Sequence, residues 1–125
     1  MIKQIATDKA PGAIGPYSQA LDLGDLVFVS GQIPVDPASG KMADTVEAQA
    51  KQALTNLSNV LAAAGLEMKN VVKTVVFLAD LADFAVVNEI YASFFEAPFP
   101  ARSCVEVAAI PKGAKLEIEC IAKRG

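Results

Sequence analysis

One segment in the first half of the chain has apolar residues at every third or fourth position. They are Val46, Ala50, Ala53, Leu54, Leu57, Val60, Leu61 and Ala64. This spacing is typical of an amphipathic helix that buries one face. Asp44, followed three residues later by Glu47, predicts a capping box at its start, and Gly65 suits the left-handed backbone that often follows a helix. The pattern therefore predicts a long first helix beginning near Val46.

Short strands are predicted on both sides of this helix. Residues 18–23 and 26–30 flank the pair Gly24-Asp25, which predicts a hairpin. Residues 71–78 are rich in β-branched side chains and predict a largely buried strand. Residues 103–108 and 115–122 alternate between apolar and polar positions, which is the period of a half-buried strand.

A second helix is predicted between the strand at residues 71–78 and the last two strands. Asp83 suits its N-cap and Pro98 would stop it. Its apolar stripe consists of Phe84, Val87, Ile90, Tyr91 and Phe94. Together these elements predict an α/β (α+β) fold, a single domain over residues 1–125 in which two helices pack on one face of a mixed sheet.

The last two strands carry an unusual number of charged residues. In the final strand Leu116, Ile118, Cys120 and Ala122 share one face and leave Glu117 and Glu119 on the other. If both strands turn their apolar faces to the helices, the residues on the opposite side are Arg102, Cys104, Glu106, Glu117 and Glu119. Solvent or a second subunit could cover that side, and oligomerisation is a natural way to cover a bare sheet face.

Composition narrows the possible chemistry. Apolar residues make up 53% and charged residues 20% of the chain, a globular balance with no run long enough for a membrane span. The first ten residues lack the apolar core of a secretory signal. We therefore expect a soluble cytoplasmic protein in which Cys104 and Cys120 stay as thiols. The net charge of -3 disfavours nucleic-acid binding, and the chain contains no His for metal binding or for activating a nucleophile.

Segments along the whole chain resemble the Rid/YjgF family, and in particular its 2-iminobutanoate/2-iminopropanoate deaminase subgroup. They are residues 13–19 (AIGPYSQ), residues 30–34 (SGQIP), and residues 100–107 (PARSCVEV) with residues 116–119 (LEIE). These segments occur in the family's order and span the chain from end to end. The run at residues 94–100 is shorter than is usual in the family, which predicts a reshaped cleft rim and an altered preference for substrate size.

The resemblance implies a chorismate-mutase-like fold and a homotrimer packed as a sheet-lined barrel, with active sites in the clefts between subunits. It also implies hydrolysis of reactive 2-imino or enamine acids, such as 2-aminoacrylate and 2-aminocrotonate, to 2-keto acids and ammonia. The implied reaction needs no cofactor and no metal. Neither a nucleic acid nor a membrane is an implied partner.

The resemblance also assigns roles to individual residues. Arg102 is expected to bind the substrate carboxylate, the backbone of Cys104 to flank the imine, and Glu117 to position or activate water. Tyr17 is expected to close the pocket from the neighbouring subunit. The remaining residues expected to line the pocket are Ser30, Gly31, Phe84 and Asn88.

The residue types suit this chemistry. An Arg fork can hold a carboxylate by two parallel hydrogen bonds, and an ionised Glu near the imine carbon can accept a proton from water. Without the resemblance, however, Arg102 could simply form a salt bridge to Glu106 or Glu119. Glu117 could equally be a solvated strand charge.

The other candidates also have plain structural alternatives. Tyr17 could be a packed turn aromatic and Gly31 a bulge glycine. Core packing and helix polarity would suffice for Phe84 and Asn88, which share a helix face. Cys104 is disfavoured as a nucleophile because no His is available to activate it.

Three other functions are compatible with the same fold. A non-catalytic trimer could bind 2-keto acids through the same Arg and serve regulation. RNA cleavage is disfavoured by the acidic charge and the lack of His. Chorismate mutase activity would rest on analogy of fold alone.

Overall fold

The structure, a computed structural model, describes all 125 residues. It contains six strands and two helices, which in chain order are β1 (Lys3–Ile5), β2 (Ala20–Asp22), β3 (Leu26–Gln32), α1 (Val46–Ala63), β4 (Val71–Leu78), α2 (Phe84–Ala92), β5 (Ala101–Glu106) and β6 (Leu116–Lys123). Single 3₁₀ turns precede β4, α2 and β6. None of the helices has the length and apolar character that crossing a bilayer requires.

The strands form one mixed sheet in the order β1-β2-β3-β6-β4-β5. Neighbouring strands are antiparallel except β4 and β5, which are parallel. The predicted hairpin is present as β2 and β3, with Gly24 at a positive φ of 100° in the turn. Helix α2 connects the two parallel strands, as a crossover between parallel strands requires.

Both helices pack on the same face of the sheet. Helix α1 contacts β3, β6 and α2, and all members of its predicted apolar stripe from Ala50 to Leu61 are buried. Leu57 and Leu61 meet Leu116 and Ile118 of β6 in one hydrophobic core. Each such leucine stabilises the fold by about 1.5–3 kcal/mol through burial. The predicted fold class and the packing of two helices on one face are therefore confirmed.

We call the sheet surface that meets the helices the helix face and the opposite surface the open face. In β6 the burial pattern alternates, so that Leu116 and Ile118 lie on the helix face and Glu117 and Glu119 on the open face. Glu117 pairs with Phe77 of β4. The expectation for β6 is therefore confirmed.

The expected orientation of β5 is wrong. Its parallel register places Arg102 opposite Thr74, Cys104 opposite Val76 and Glu106 opposite Leu78, and these three β4 residues are buried on the helix face. Arg102, Cys104 and Glu106 therefore lie on the helix face, whereas Ser103 and Val105 lie on the open face. Alternation shows which residues of a strand share a face. It does not show which face meets the helices when both surfaces of an edge strand carry apolar groups.

Two helix boundaries also differ from the predictions. Thr45, and not Asp44, caps α1, because its hydroxyl accepts a hydrogen bond from the backbone N–H of Ala48. The side chain of Asp83 makes no capping bond, and Asp80 instead caps the 3₁₀ turn that leads into α2. Helix α2 ends at Ala92, before Phe94. Strand β1 was not predicted, because three residues are too few to show a period.

Candidate active site

Arg102 lies on the edge strand β5 with its side chain against one face of α2. Its Nη1 donates a hydrogen bond of 2.7 Å to Oδ1 of Asn88. Its guanidinium carbon lies 5.5 Å from the ring centroid of Phe84 and 4.9 Å from that of Tyr91, both within cation–π range. We call these four residues the Arg102 clamp.

The clamp follows from helical periodicity. Phe84, Asn88 and Tyr91 occupy positions i, i+4 and i+7 of α2, so they form a single stripe along the helix. An aromatic ring stands at each end of the stripe, with the amide between them. One helix thus fixes both the plane of the guanidinium and the direction of one of its edges.

Arg102 forms no ion pair in the chain. The two ion pairs present join Lys69 to Glu67 and Arg124 to Asp22, so a salt bridge from Arg102 to Glu106 or Glu119 is not observed. Glu106 instead accepts a hydrogen bond from the backbone N–H of Leu81. Nη2 and Nε of Arg102 have no hydrogen-bond partner in the protein, which leaves one side of the fork free for an anion.

A cavity of about 450 Å³ adjoins the clamp. Its lining residues are Asn88, Tyr91, Ala92, Phe99, Pro100 and Arg102. It thus combines one cation and polar groups with aromatic and aliphatic side chains, as a site for a small carboxylate with an apolar substituent would.

Cys104 borders this region but is not set up as a nucleophile. Its side chain is half-buried against the core. Burial raises the pKa of its thiol, and the nearby Arg102 offsets this only in part. Cys120 is buried more deeply, and burial with Glu119 nearby raises its pKa to about 12. Neither thiol is activated as a thiolate near neutral pH.

The open face holds a second group of candidate residues around Glu117. The pairing of β3 with β6 shifts register between Val29 and Gln32, which is the mark of a β-bulge. Within that bulge a Cβ atom on Gly31 would overlap the carboxyl group of Glu117. The carboxyl group therefore packs directly on the Gly31 backbone, and only a glycine leaves room for it.

The environment of Glu117 changes its acidity. Burial raises the pKa of its carboxyl group, and the neighbouring charge of Glu119 raises it further. No side chain in the chain donates a hydrogen bond to this carboxylate. A Glu with a raised pKa is a stronger base when ionised, which suits proton transfer near neutral pH.

Tyr17 and Ser30 border the same surface. The Ser30 hydroxyl donates a 2.6 Å hydrogen bond to the carbonyl of Ser18, and the Ser30 N–H donates to the carbonyl of Gln19. These bonds attach the segment carrying Tyr17 to β3. Tyr17, half-exposed, lines an open cleft of about 560 Å³ with Phe28, Ser30, Glu119 and neighbouring residues.

The eight residues predicted for the site thus fall into two groups within one chain. The Arg102 group on the helix face holds Phe84, Asn88, Arg102 and Cys104, and the Glu117 group on the open face holds Tyr17, Ser30, Gly31 and Glu117. Strand β4 separates β5 from β6, and Arg102 and Glu117 lie opposite β4 residues that are three positions apart. Ordinary strand spacings place their Cα atoms about 14 Å apart, with side chains on opposite faces.

Sequence reasoning missed Tyr91, Phe99 and Pro100 as parts of the site. Tyr91 was assigned only to the apolar stripe of the second helix. Its position seven residues after Phe84, on the same face as Asn88, was the signal that could have identified it. Phe99 and Pro100 approach the cavity through a turn that no periodicity reveals. No cluster of three potential metal ligands occurs in the chain.

Comparisons with known proteins identify the family of this chain. A family model described as "Endoribonuclease L-PSP" matches residues 7–124. A protein of Salmonella typhimurium named "2-iminobutanoate/2-iminopropanoate deaminase" is 58% identical over 127 residues, with 99% of each chain covered. The Escherichia coli protein of the same name is 55% identical with the same coverage.

Solved structures are equally similar. The crystal structure of the YjgF gene product from E. coli superposes with a TM-score of 0.95 at 54% identity, covering 98% of this chain and 99% of that one. E. coli TdcF with bound serine gives a TM-score of 0.96 at 52% identity with the same coverage. The resemblance to the Rid/YjgF family is therefore confirmed.

Proposed function

The chain belongs to the endoribonuclease L-PSP family, which includes the YjgF proteins, and from that membership we propose that it is a 2-iminobutanoate/2-iminopropanoate deaminase. It hydrolyses reactive 2-imino acids, or their enamine tautomers, to 2-keto acids and ammonia. The observation that carries this proposal is the Arg102 guanidinium, whose Nη2 and Nε have no partner in the protein and which lines a cavity suited to a small carboxylate. The family's description names ribonuclease activity, but a net charge of -3 does not favour an RNA surface.

Arg102 is proposed to hold the substrate carboxylate through Nη2 and Nε. Hydrogen bonds between charged groups contribute about 1.5–3 kcal/mol each. Asn88 occupies the other edge of the guanidinium, so the substrate approaches from one direction. A fixed carboxylate in turn fixes C2, the carbon that water attacks.

Glu117 is proposed to handle the proton of the attacking water. The water oxygen bonds to C2 while Glu117 takes a proton from that water and passes it to the imine nitrogen, giving a carbinolamine and an ionised Glu117. The nitrogen then takes up a second proton, from solvent, and Glu117 accepts the hydroxyl proton, which it afterwards returns to solvent. The C2–N bond breaks as the C2=O bond forms, and the products are the 2-keto acid and ammonia.

This mechanism needs the two groups of residues to meet, and one chain keeps them on opposite faces of the sheet. We propose that they meet between subunits of a homotrimer, with the Glu117 group of one subunit facing the Arg102 group of the next. The open face also exposes Phe28 at 42% and Val105 at 44% of their surfaces. Burying such apolar groups against another copy supports assembly through this face.

The deaminase proposal is tested by coupling the protein to a purified threonine dehydratase. Formation of 2-ketobutyrate is followed in the presence of a trap that captures unhydrolysed imine. We expect the wild type to accelerate 2-ketobutyrate formation and Arg102→Ala to lose that effect. Lys69→Ala, which removes an exposed cation that is not part of the clamp, is the matched control and should behave like the wild type.

No acceleration by correctly assembled wild type would contradict the deaminase proposal for this substrate. Binding of 2-ketobutyrate without turnover would instead favour the non-catalytic trimer. Binding is measured by calorimetry on the same preparation.

The intersubunit site is tested by mixing two inactive variants, Arg102→Ala and Glu117→Gln. After subunit exchange, each mixed trimer has one site built from an intact Arg102 and an intact Glu117. Random exchange of equal amounts makes about three quarters of the trimers mixed, so we expect the mixture to recover about one quarter of the wild-type activity. A mixture that has exchanged subunits, as shown by mass spectrometry, but stays inactive would place both residues of a site in the same chain.

A further inference from the structure

Two buried hydroxyl groups lie behind the Arg102 clamp. The hydroxyl of Tyr91 lies 2.7 Å from Oγ1 of Thr74, and either can be the donor. Tyr91 is 5% exposed and Thr74 is completely buried. Neither residue carried a predicted role, and the reaction derived above uses neither hydroxyl.

The hydrogen bond closes a ring of three contacts, from Arg102 to the Tyr91 ring, from Tyr91 to Thr74, and from Thr74 back to Arg102. Thr74 lies opposite Arg102 in the parallel register of β4 and β5. The Tyr91 ring, which bonds to Thr74 at its far end, lies 4.9 Å from the guanidinium carbon. Helix α2 is thus linked to the same strand pair that carries Arg102, and the ring cannot tilt without breaking that bond.

Packing alone does not require the Tyr91 hydroxyl. A phenylalanine ring would fill the same space beside Phe95, whose ring centroid lies 4.6 Å away. A hydroxyl in that place adds a polar group that must be paired, because an unpaired buried hydroxyl is costly. What the bond adds to simple packing is a fixed orientation of the ring under the guanidinium.

We propose that Tyr91 and Thr74 are positioning residues that hold the Arg102 fork in the plane that receives the substrate carboxylate. The inference rests on the proposed function of Arg102 and extends it to a pair of residues that do not touch the substrate through their hydroxyls. Asn88 fixes the guanidinium at its edge, and the Tyr91 ring fixes it at its face. Together they leave Nη2 and Nε without a partner in the protein, in a residue that lines the cavity.

The test compares Tyr91→Phe, Thr74→Val and the double variant with the wild type. We expect KM for the imino acid, and the Kd for 2-ketobutyrate, to rise about five- to tenfold, because a displaced anchor weakens carboxylate binding. The kcat should stay within about twofold, since Glu117 is untouched. The double variant should match the single variants, because all three break the same bond.

Two controls separate positioning from stability. Thr74→Ser keeps the hydroxyl and should restore KM nearly to the wild-type value. Val60→Ala opens a cavity in α1, away from the clamp, and should lower the melting temperature with KM unchanged. If Tyr91→Phe and Thr74→Val behave like Val60→Ala, with lower melting temperatures and unchanged KM and Kd, the positioning role is wrong.

The outcomes also distinguish this inference from the proposed function. Wild type that binds 2-ketobutyrate without deaminating imines overturns the activity alone, and the Kd comparison still decides the positioning role. An active wild type with unaffected variants overturns the positioning role alone. Wild type that neither deaminates nor binds 2-ketobutyrate overturns both.

Discussion

The Arg102 clamp and the open face around Glu117 are built in different ways. The clamp is complete within one chain, since its cation is held by an amide and two aromatic rings of a single helix. Glu117 has a partly desolvated carboxylate without a hydrogen-bond donor, on a face that also exposes Phe28 and Val105. In the proposed mechanism, one chain therefore organises substrate binding, whereas proton transfer needs a second chain.

The difference has a simple origin in the sequence. Three of the four clamp residues come from nine consecutive residues of α2, so helix formation alone aligns them. The Glu117 group collects residues from the segment before β2, from β3 and from β6, and β6 is far from the other two in the chain. If this interpretation is correct, changes in the two regions should alter different kinetic constants.

The largest effect is expected from Glu117→Gln. Loss of a general base lowers kcat by about 10²- to 10⁴-fold. The Kd for 2-ketobutyrate should stay near the wild-type value because the clamp is intact. Calorimetry and the coupled assay measure the two quantities, and a large loss of binding would mean that Glu117 is part of the anchor.

Gly31→Ala should lower kcat by about 10- to 100-fold, because the added methyl group overlaps the Glu117 carboxyl group and displaces it. Gly12→Ala is the matched control, since a Cβ atom there meets nothing within 4 Å. Unchanged turnover in Gly31→Ala, with assembly intact, would show that the carboxylate need not lie on the bulge.

Arg102→Lys should raise KM by about tenfold with a smaller change in kcat. The substitution keeps the charge but loses the planar fork and its stacking on Phe84 and Tyr91. Initial rates over a range of dehydratase-generated imine concentrations measure KM and kcat separately. A fall in kcat with KM unchanged would contradict the assignment of substrate binding to the Arg102 clamp and of proton transfer to Glu117.

The smallest effect is expected from Glu119→Gln. Activity of the wild type should fall as the pH drops through the raised pKa of Glu117, where the base becomes protonated. Removing the charge of Glu119, the lesser of the two causes of the raised pKa, should move this acid limb to lower pH. A pH–rate profile of both proteins checks the direction, and a shift to higher pH would contradict it.

The stability of the folded protein should change with pH in the direction opposite to its activity. Because the folded state raises the pKa of Glu117, the ionised carboxylate is disfavoured by folding. This group therefore contributes most below its ordinary pKa, and the contribution is lost as the pH rises through the raised value. Glu117→Gln should flatten the decline in melting temperature over that window.

The sequence predicted the local features of this fold well. The β-branched run at Val71–Leu78 is β4 to the residue, and the apolar stripe of α1 lies in the core as expected. The spacing of apolar residues in a helix or strand depends only on residues close together in the chain, and burial of the apolar face stabilises the same element. Thr45 displaced Asp44 as the cap because adjacent capping residues compete, and the geometry of the entering chain decides between them.

The candidate site was predictable as a set of residues but not as an arrangement. Resemblance identified Arg102 and Glu117, yet alternation alone placed both on one side of the sheet. The structure separates them because β5 is an edge strand that turns Val105 to the open face and Arg102 to α2. Which face of an edge strand meets the core depends on its partners, and those partners are distant in sequence.

The position of β6 has a consequence for biosynthesis. This last strand of the chain lies at the centre of the sheet, between β3 and β4, and joins the hairpin half to the parallel half. While a ribosome still holds β6, the two halves have no strand in common. The sheet therefore closes only after this strand has emerged, and the Glu117 carboxylate, which β6 carries, joins the fold at that step.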